Sequence, residues 1–184
     1  MNRIYLETVK EEELTILKKE LQESFMEGLR YNFPEAEDPT EMGPIPSEED
    51  LKQSLYSEET VVYQLVKNHQ RIGGVVLRID EKTNRNEVEL FYIKKGMHGK
   101  GLGIKAWKAI EEAYPKTRVW ELYTPYFEKR NIHFYVNKCG FHIVEFNNKH
   151  NPGPNVVDKE IMSDKEYEFF RFEKLMIRTN GDDK

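Results

Sequence analysis

The chain has 184 residues, 38% of them hydrophobic and 12% aromatic, and a formal net charge of −5. This length and composition predict one folded domain, taken as residues 1–177, with a frayed tail at 178–184. The acidic balance argues against a nucleic-acid partner, and the single cysteine excludes an internal disulfide. No Cys/His spacing resembles a metal site, and no segment has the pattern of a signal peptide or a membrane span. We therefore expect a metal-free cytoplasmic protein without a membrane partner.

The first predicted elements are two helices. Apolar side chains at helical spacing predict a long amphipathic helix near the start of the chain. They are Leu14, Leu17, Leu21, Phe25 and Leu29. A proline-rich acidic loop follows, and Ser47 with three acidic residues after it predicts the start of a short second helix.

Strands dominate the middle of the chain. The segment 60–80 predicts two strands around a turn at 68–71, and "RNEVELFYIKK" predicts a third. A glycine-rich turn leads into a helix that Pro115 ends, followed by a strand, a helix from Phe127 to Lys138 and two final strands. Short links favour antiparallel pairing early, and the strand–helix–strand segment favours one parallel pair, so we expect a mixed α/β sheet.

The turn "HGKGLGIKAW" is a candidate anion site. Glycines let a ligand approach the backbone, and the first amides of the following helix have no partner within it. Lys100 and Lys105 add positive charge. A phosphate cradle and a turn that only reverses the chain are both consistent with this pattern. The P-loop and dinucleotide-binding spacings are not present.

The run His98-Gly99-Lys100-Gly101-Leu102-Gly103 resembles the Q/R-x-x-G-x-G/A motif of the GNAT superfamily of N-acetyltransferases, with His98 where glutamine or arginine is usual. "RNIHFYVNKCGFHIVEF" is similar to that family's later signature, and the resemblance spans about 61–146. It implies a mostly antiparallel central sheet with helices on both faces, and acetyl-CoA as cosubstrate. The loop amides would hold its pyrophosphate, the strand residues Phe91, Tyr92 and Ile93 would pair with the pantetheine arm, and Asn131 would contact that arm. A structural role for Asn131 as the N-terminal cap of the helix that carries Tyr135 is compatible with this contact.

The resemblance also implies the catalytic residues. An amine must lose a proton before it attacks the thioester, and the departing thiolate must gain one. Tyr135 is the expected acid, although it lies five residues before Gly140 where the family usually has four. The expected base is Glu89, with Glu87 as the alternative, since residues two apart on a strand share a face.

The acceptor is predicted only by charge. Residues 31–60 carry nine acidic residues against one lysine, which would attract a cationic amine, either a small molecule or a peptide. Solvated acidic loops are an equally simple explanation. A non-catalytic acyl-CoA sensor, transfer of a longer acyl group and a homodimer, which is common in the family, remain open.

Overall fold

The computed structural model describes residues 3–34, 46–153 and 168–176. Its strands are β1 Ile4–Thr8, β2 Thr60–Lys67, β3 Gln70–Arg78, β4 Arg85–Ile93, β5 Val119–Pro125, β6 His142–Asn147 and β7 Phe169–Leu175. Its helices are α1 Glu11–Asn32, α2 Glu48–Tyr56, α3 Leu102–Ala113 and α4 Lys129–His133, and α4 continues into a π-helical turn at Phe134–Cys139. The predicted tail at 178–184 and much of the acidic loop lie outside the described residues.

The strands form a seven-stranded sheet in the order β1-β2-β3-β4-β5-β7-β6. Every neighbouring pair is antiparallel except β4 and β5, which are parallel, so the predicted mixed, mostly antiparallel sheet is confirmed. Strand β1 was not predicted from the sequence. Only Ile4 is buried in this strand, so its residues carry little of the alternation that marks a strand.

Helices cover both faces of the sheet. On one face, α3 and the π-helical turn enclose an aromatic core in which Trp107 contacts Trp120 and Phe141 with ring centroids 5.4 and 5.1 Å apart. On the other face, α1 and α2 bury Leu17, Leu21 and their neighbours against β3 and β4. None of the described helices is both long and apolar enough to cross a membrane.

The two parallel strands pair along only part of their length. Their register runs from Arg85 opposite Val119 to Val88 opposite Leu122, yet β4 continues to Ile93 and β5 to Pro125. Beyond Val88 the strands therefore diverge, and we call this opening the fork. A register shift at the same level, with Val88 and Leu90 but not Glu89 paired to β3, marks a β-bulge in β4.

Candidate functional site

Backbone groups of β4 line one side of the fork. The amide of Lys94 donates to the carbonyl of Ile72 at 2.9 Å, so the polar groups of residue 94 face β3. Successive residues of a strand point their backbone amide and carbonyl groups to opposite sides. The amides and carbonyls of Phe91 and Ile93 therefore face the fork, whereas those of Tyr92 face β3. The Ser24 hydroxyl of α1 donates to the Ile93 carbonyl at 3.1 Å. The fork thus offers amide donors to a ligand.

The glycine loop lies at the open end of β4. Gly99 and Gly101 have φ of +78° and +67°, and a Cβ built at either would meet nothing within 4 Å. Gly101 immediately precedes α3, whose first amides lack intrahelical partners. Lys100 and Lys105 are exposed beside it. The loop is therefore an open, donor-rich surface of the kind that binds phosphate groups.

Gly103 has a different role from the glycines before it. A Cβ there would lie 3.1 Å from Cε2 of Phe134, in the π-helical turn. Phe134 in turn stacks on Phe91 with ring centroids 6.1 Å apart. Because Gly103 has no side chain, α3 can approach the π-helical turn that carries Phe134. The neighbouring residue Leu102 is buried.

His98 faces the end of α1. Its Nε2 lies 3.5 Å from Oε2 of Glu27, and the side chain is 36% exposed. Partial burial and the charge of Arg130 lower the pKa of His98, although Glu27 opposes them. The imidazole is thereby biased towards its neutral form, so this position lacks the fixed charge that an arginine would provide.

The second half of α1 reaches both sides of the fork. Besides the contacts of Ser24 and Glu27 with the β4 side, Phe33, the residue directly after α1, packs on Phe127 with ring centroids 5.0 Å apart. A Cβ at Gly28 would lie 3.0 Å from Oε1 of Glu128. This half of α1 therefore closes one face of the opening.

Glu128 carries a buried carboxyl that was not predicted from the sequence. It is 8% exposed, and its Oε2 has no hydrogen-bond partner within the described part of the chain. Burial raises its pKa, against the hydrogen bond of Asn32 and the charge of Arg130. Its burial results from packing against α1, about a hundred residues away in the sequence, so no local pattern distinguishes it from other glutamates.

Tyr135 lies in the π-helical turn, where the amides of Gly140 and Phe141 both point to its carbonyl. A π-helical turn accommodates one residue more than an α-helical turn. Its ring packs among Phe134, Phe141 and Phe172 with centroids 5.2 to 6.1 Å apart, and burial raises its pKa. The phenol is thus held in its protonated form.

Asn131 lies two residues inside α4, whose N-terminal cap position is Glu128. The expectation that Asn131 caps this helix is therefore wrong, because its backbone is already helical. Its side chain is half-buried and makes no hydrogen bond within residues that the structure describes. It lies on the β5 side of the fork, in the helix that continues into the π-helical turn carrying Tyr135.

The two strand glutamates have different surroundings. Glu89, in the bulge, forms an ion pair with Arg78, which also contacts Glu59. Glu87 forms no ion pair or hydrogen bond within the described ranges. Burial, followed by repulsion from Glu89, raises the pKa of Glu87 to about 7, with Arg78 opposing the shift. A carboxyl that titrates near neutrality can exchange a proton at physiological pH.

The described residues were also compared with the requirements of a metal site. Among the residues described in the structure, no three His, Cys, Asp or Glu side chains are grouped so that they could hold a metal ion. The sole cysteine, Cys139, is buried, and burial raises its thiol pKa.

Comparisons with known proteins identify the family of this chain. The sequence model of the Acetyltransferase (GNAT) family matches residues 19–141. The chain is 46% identical over 180 residues to YrkN, an uncharacterized protein of Bacillus subtilis (strain 168), and the match covers 95% of this chain and 94% of YrkN.

Two solved structures show the same fold. A Bacillus subtilis acetyltransferase in complex with CoA superposes with a TM-score of 0.60 at 19% identity, over 96% of this chain and 100% of that one. Spermidine N-acetyltransferase from Vibrio cholerae, in complex with CoA and spermine, gives a TM-score of 0.64 at 13% identity, over 94% and 95% of the two chains.

Proposed function

The chain belongs to the GNAT acetyltransferase family, and from this premise we propose that it transfers the acetyl group of acetyl-CoA directly to a primary amine within a ternary complex. The observation that carries the proposal is the fork beside the glycine loop. The strand amides that face the fork suit the pantetheine arm of CoA, and the glycine loop at the end of β4 suits its pyrophosphate.

The cofactor end uses mainly backbone groups. The amides of the loop 98–103 would hold the pyrophosphate, where Gly99 and Gly101 leave room for it. The backbone of Phe91 and Ile93 would pair with the pantetheine arm, and Asn131 would reach the arm from the opposite side. Tyr92 supports this strand from behind, since its hydroxyl donates to Glu20 at 3.2 Å.

The chemical step requires two proton transfers. The amine arrives as an ammonium ion, and Glu87 takes its first proton so that the nitrogen lone pair can attack the thioester carbonyl carbon. We place Glu87 ahead of Glu89 as the base because Glu89 is engaged by Arg78 and Glu87 has no such partner. A strand amide in the fork would stabilise the oxyanion.

The second proton goes to sulfur. As the carbon–sulfur bond breaks, the Tyr135 hydroxyl gives its proton to the departing thiolate, and the proton that the new amide nitrogen loses returns to the Tyr135 oxygen. The products are the acetylated amine and CoA thiol, and one proton is released to solvent through Glu87. Tyr135 suits this step because burial keeps its hydroxyl protonated.

A cationic acceptor is supported by charge and by fold. The acidic segment at 31–60 would attract it, although part of that segment lies outside the described residues. A similar fold in spermidine N-acetyltransferase supports testing polyamines first.

The test measures thiol release from acetyl-CoA by the purified protein with polyamines, amino sugars, amino acids and short peptides at mildly alkaline pH. We expect release that depends on the amine and is abolished in Glu87→Gln. Acetyl-CoA binding measured by calorimetry, with no release for any amine, would contradict the proposal and favour an acyl-CoA sensor. Glu81→Gln, an exposed turn residue, is the matched control and should retain activity.

A further inference from the structure

Strand β5 carries a polar side chain, Tyr123, at the start of the fork and near Glu87 of β4. Glu121 lies directly opposite Glu87 in the parallel register, and Leu122 is the last paired residue of β5. Tyr123 is therefore the first residue of β5 inside the fork. Its hydroxyl donates to Oε1 of Glu121 at 3.1 Å, which places the phenol on the face of the sheet that carries Glu87.

Arginines fix the other oxygen of Glu121. Arg171 Nη1 lies 3.1 Å from Oε2, and Arg85 Nη2 lies 3.3 Å from it. Glu121 is thus held in place as the acceptor of the Tyr123 hydroxyl. Because the phenol hydrogen of Tyr123 is committed to Glu121, the phenol oxygen presents only its lone pairs to a ligand.

Charge near the phenol supports this arrangement. Burial, followed by the carboxylate of Glu121, raises the pKa of Tyr123, and Glu87 is close enough to contribute. The phenol is therefore protonated at neutral pH and acts as a fixed dipole between the strands.

We infer that Tyr123 is a substrate-binding residue of the acceptor site, whose phenol oxygen accepts one N–H of the amine while Glu87 takes another proton from the same nitrogen. This inference rests on the proposed function. The two acceptors, Glu87 in the paired part of β4 and Tyr123 at the start of the fork on β5, would orient the nitrogen lone pair. They also favour an ammonium group over an alcohol, since a hydroxyl has one hydrogen and satisfies only one of them.

The experiment uses n-butylamine and 1-butanol as matched small probes with saturating acetyl-CoA. For wild type we expect release with n-butylamine and none with 1-butanol. Tyr123→Phe should raise the KM for n-butylamine about tenfold, the loss expected for a hydrogen bond to a charged group, and leave the KM for acetyl-CoA unchanged. Tyr126→Phe removes a hydroxyl from an exposed neighbour and should match wild type.

The outcomes separate this inference from the proposed function. An unchanged KM for n-butylamine in Tyr123→Phe, or equal turnover of 1-butanol by wild type, overturns the role of Tyr123 and leaves amine acetylation standing. If wild type turns over neither probe, n-butylammonium binding to CoA-saturated protein is measured by NMR. Equal affinity in wild type and Tyr123→Phe then overturns the inference, and at least tenfold weaker binding in the variant supports it.

Discussion

Replacing Glu87 with glutamine should stabilise the fold at alkaline pH and abolish activity. The pKa of Glu87 rises from its ordinary 4.5 to about 7 in the folded protein. The folded state therefore binds the proton more tightly than the unfolded state, and wild type loses stability as the pH rises from about 4.5 to about 7. At roughly 1.36 kcal/mol per pH unit the limit is about 3.4 kcal/mol. Partial exposure to solvent reduces this to about 2 kcal/mol.

Urea denaturation at pH 4.5 and pH 8 measures this difference. The free energy of unfolding of Glu87→Gln minus that of wild type should grow by about 2 kcal/mol between the two pH values. Glu81→Gln, on the exposed turn after β3, should show no such growth. A difference independent of pH would refute the raised pKa and, with it, the choice of Glu87 as a base that titrates near neutrality.

Four other substitutions test the glycine positions, the proposed acid and the ion pairs behind β4. Gly73→Ala would place a Cβ 2.2 Å from the Tyr92 carbonyl oxygen and should lower the free energy of unfolding in urea by about 3 kcal/mol. Gly99→Ala has open space around its Cβ but a φ of +78°, so it should lose only about 1–2 kcal/mol. Its main effect should be weaker acetyl-CoA binding, measured by calorimetry. Tyr135→Phe should lower kcat at least tenfold and leave acetyl-CoA affinity unchanged; an unchanged kcat would remove it from the mechanism. Glu20→Ala removes the carboxylate that pairs with Arg71 at 3.1 Å and Lys94 at 2.7 Å, so unfolding in urea should become easier by about 3 kcal/mol, and a loss below 1 kcal/mol would contradict this role.

The sequence predicted best those features that depend on neighbouring residues. The glycine loop, the helix after it and the parallel pair around it follow from local spacing and short connections, and each is present in the structure. The burial of Glu128 and the position of Tyr123 could not be predicted in this way. One depends on α1 packing across the opening, and the other on where strand pairing stops.

The choice between Glu87 and Glu89 shows the same limit in more detail. Side chains alternate between the two faces of a strand, so Glu87 and Glu89 are expected on one face, and both lie near Arg78. The bulge that removes Glu89 from the ladder and the arginine on β3 that engages it are set by the register of another strand. The sequence could therefore predict a pair of candidates, and only the strand pairing distinguishes them.

The spacing of Tyr135 is resolved by helix geometry. One additional residue in an α-helix would rotate a side chain by about 100°, which would direct the tyrosine away from where a four-residue spacing puts it. The extra residue between Tyr135 and Gly140 is instead taken up by the π-helical turn, whose wider hydrogen bond joins the Gly140 amide to the Tyr135 carbonyl. The ring then stays within the aromatic core that abuts the fork. The residue that departs from the family spacing thus lies within the π-helical turn that carries the proposed acid.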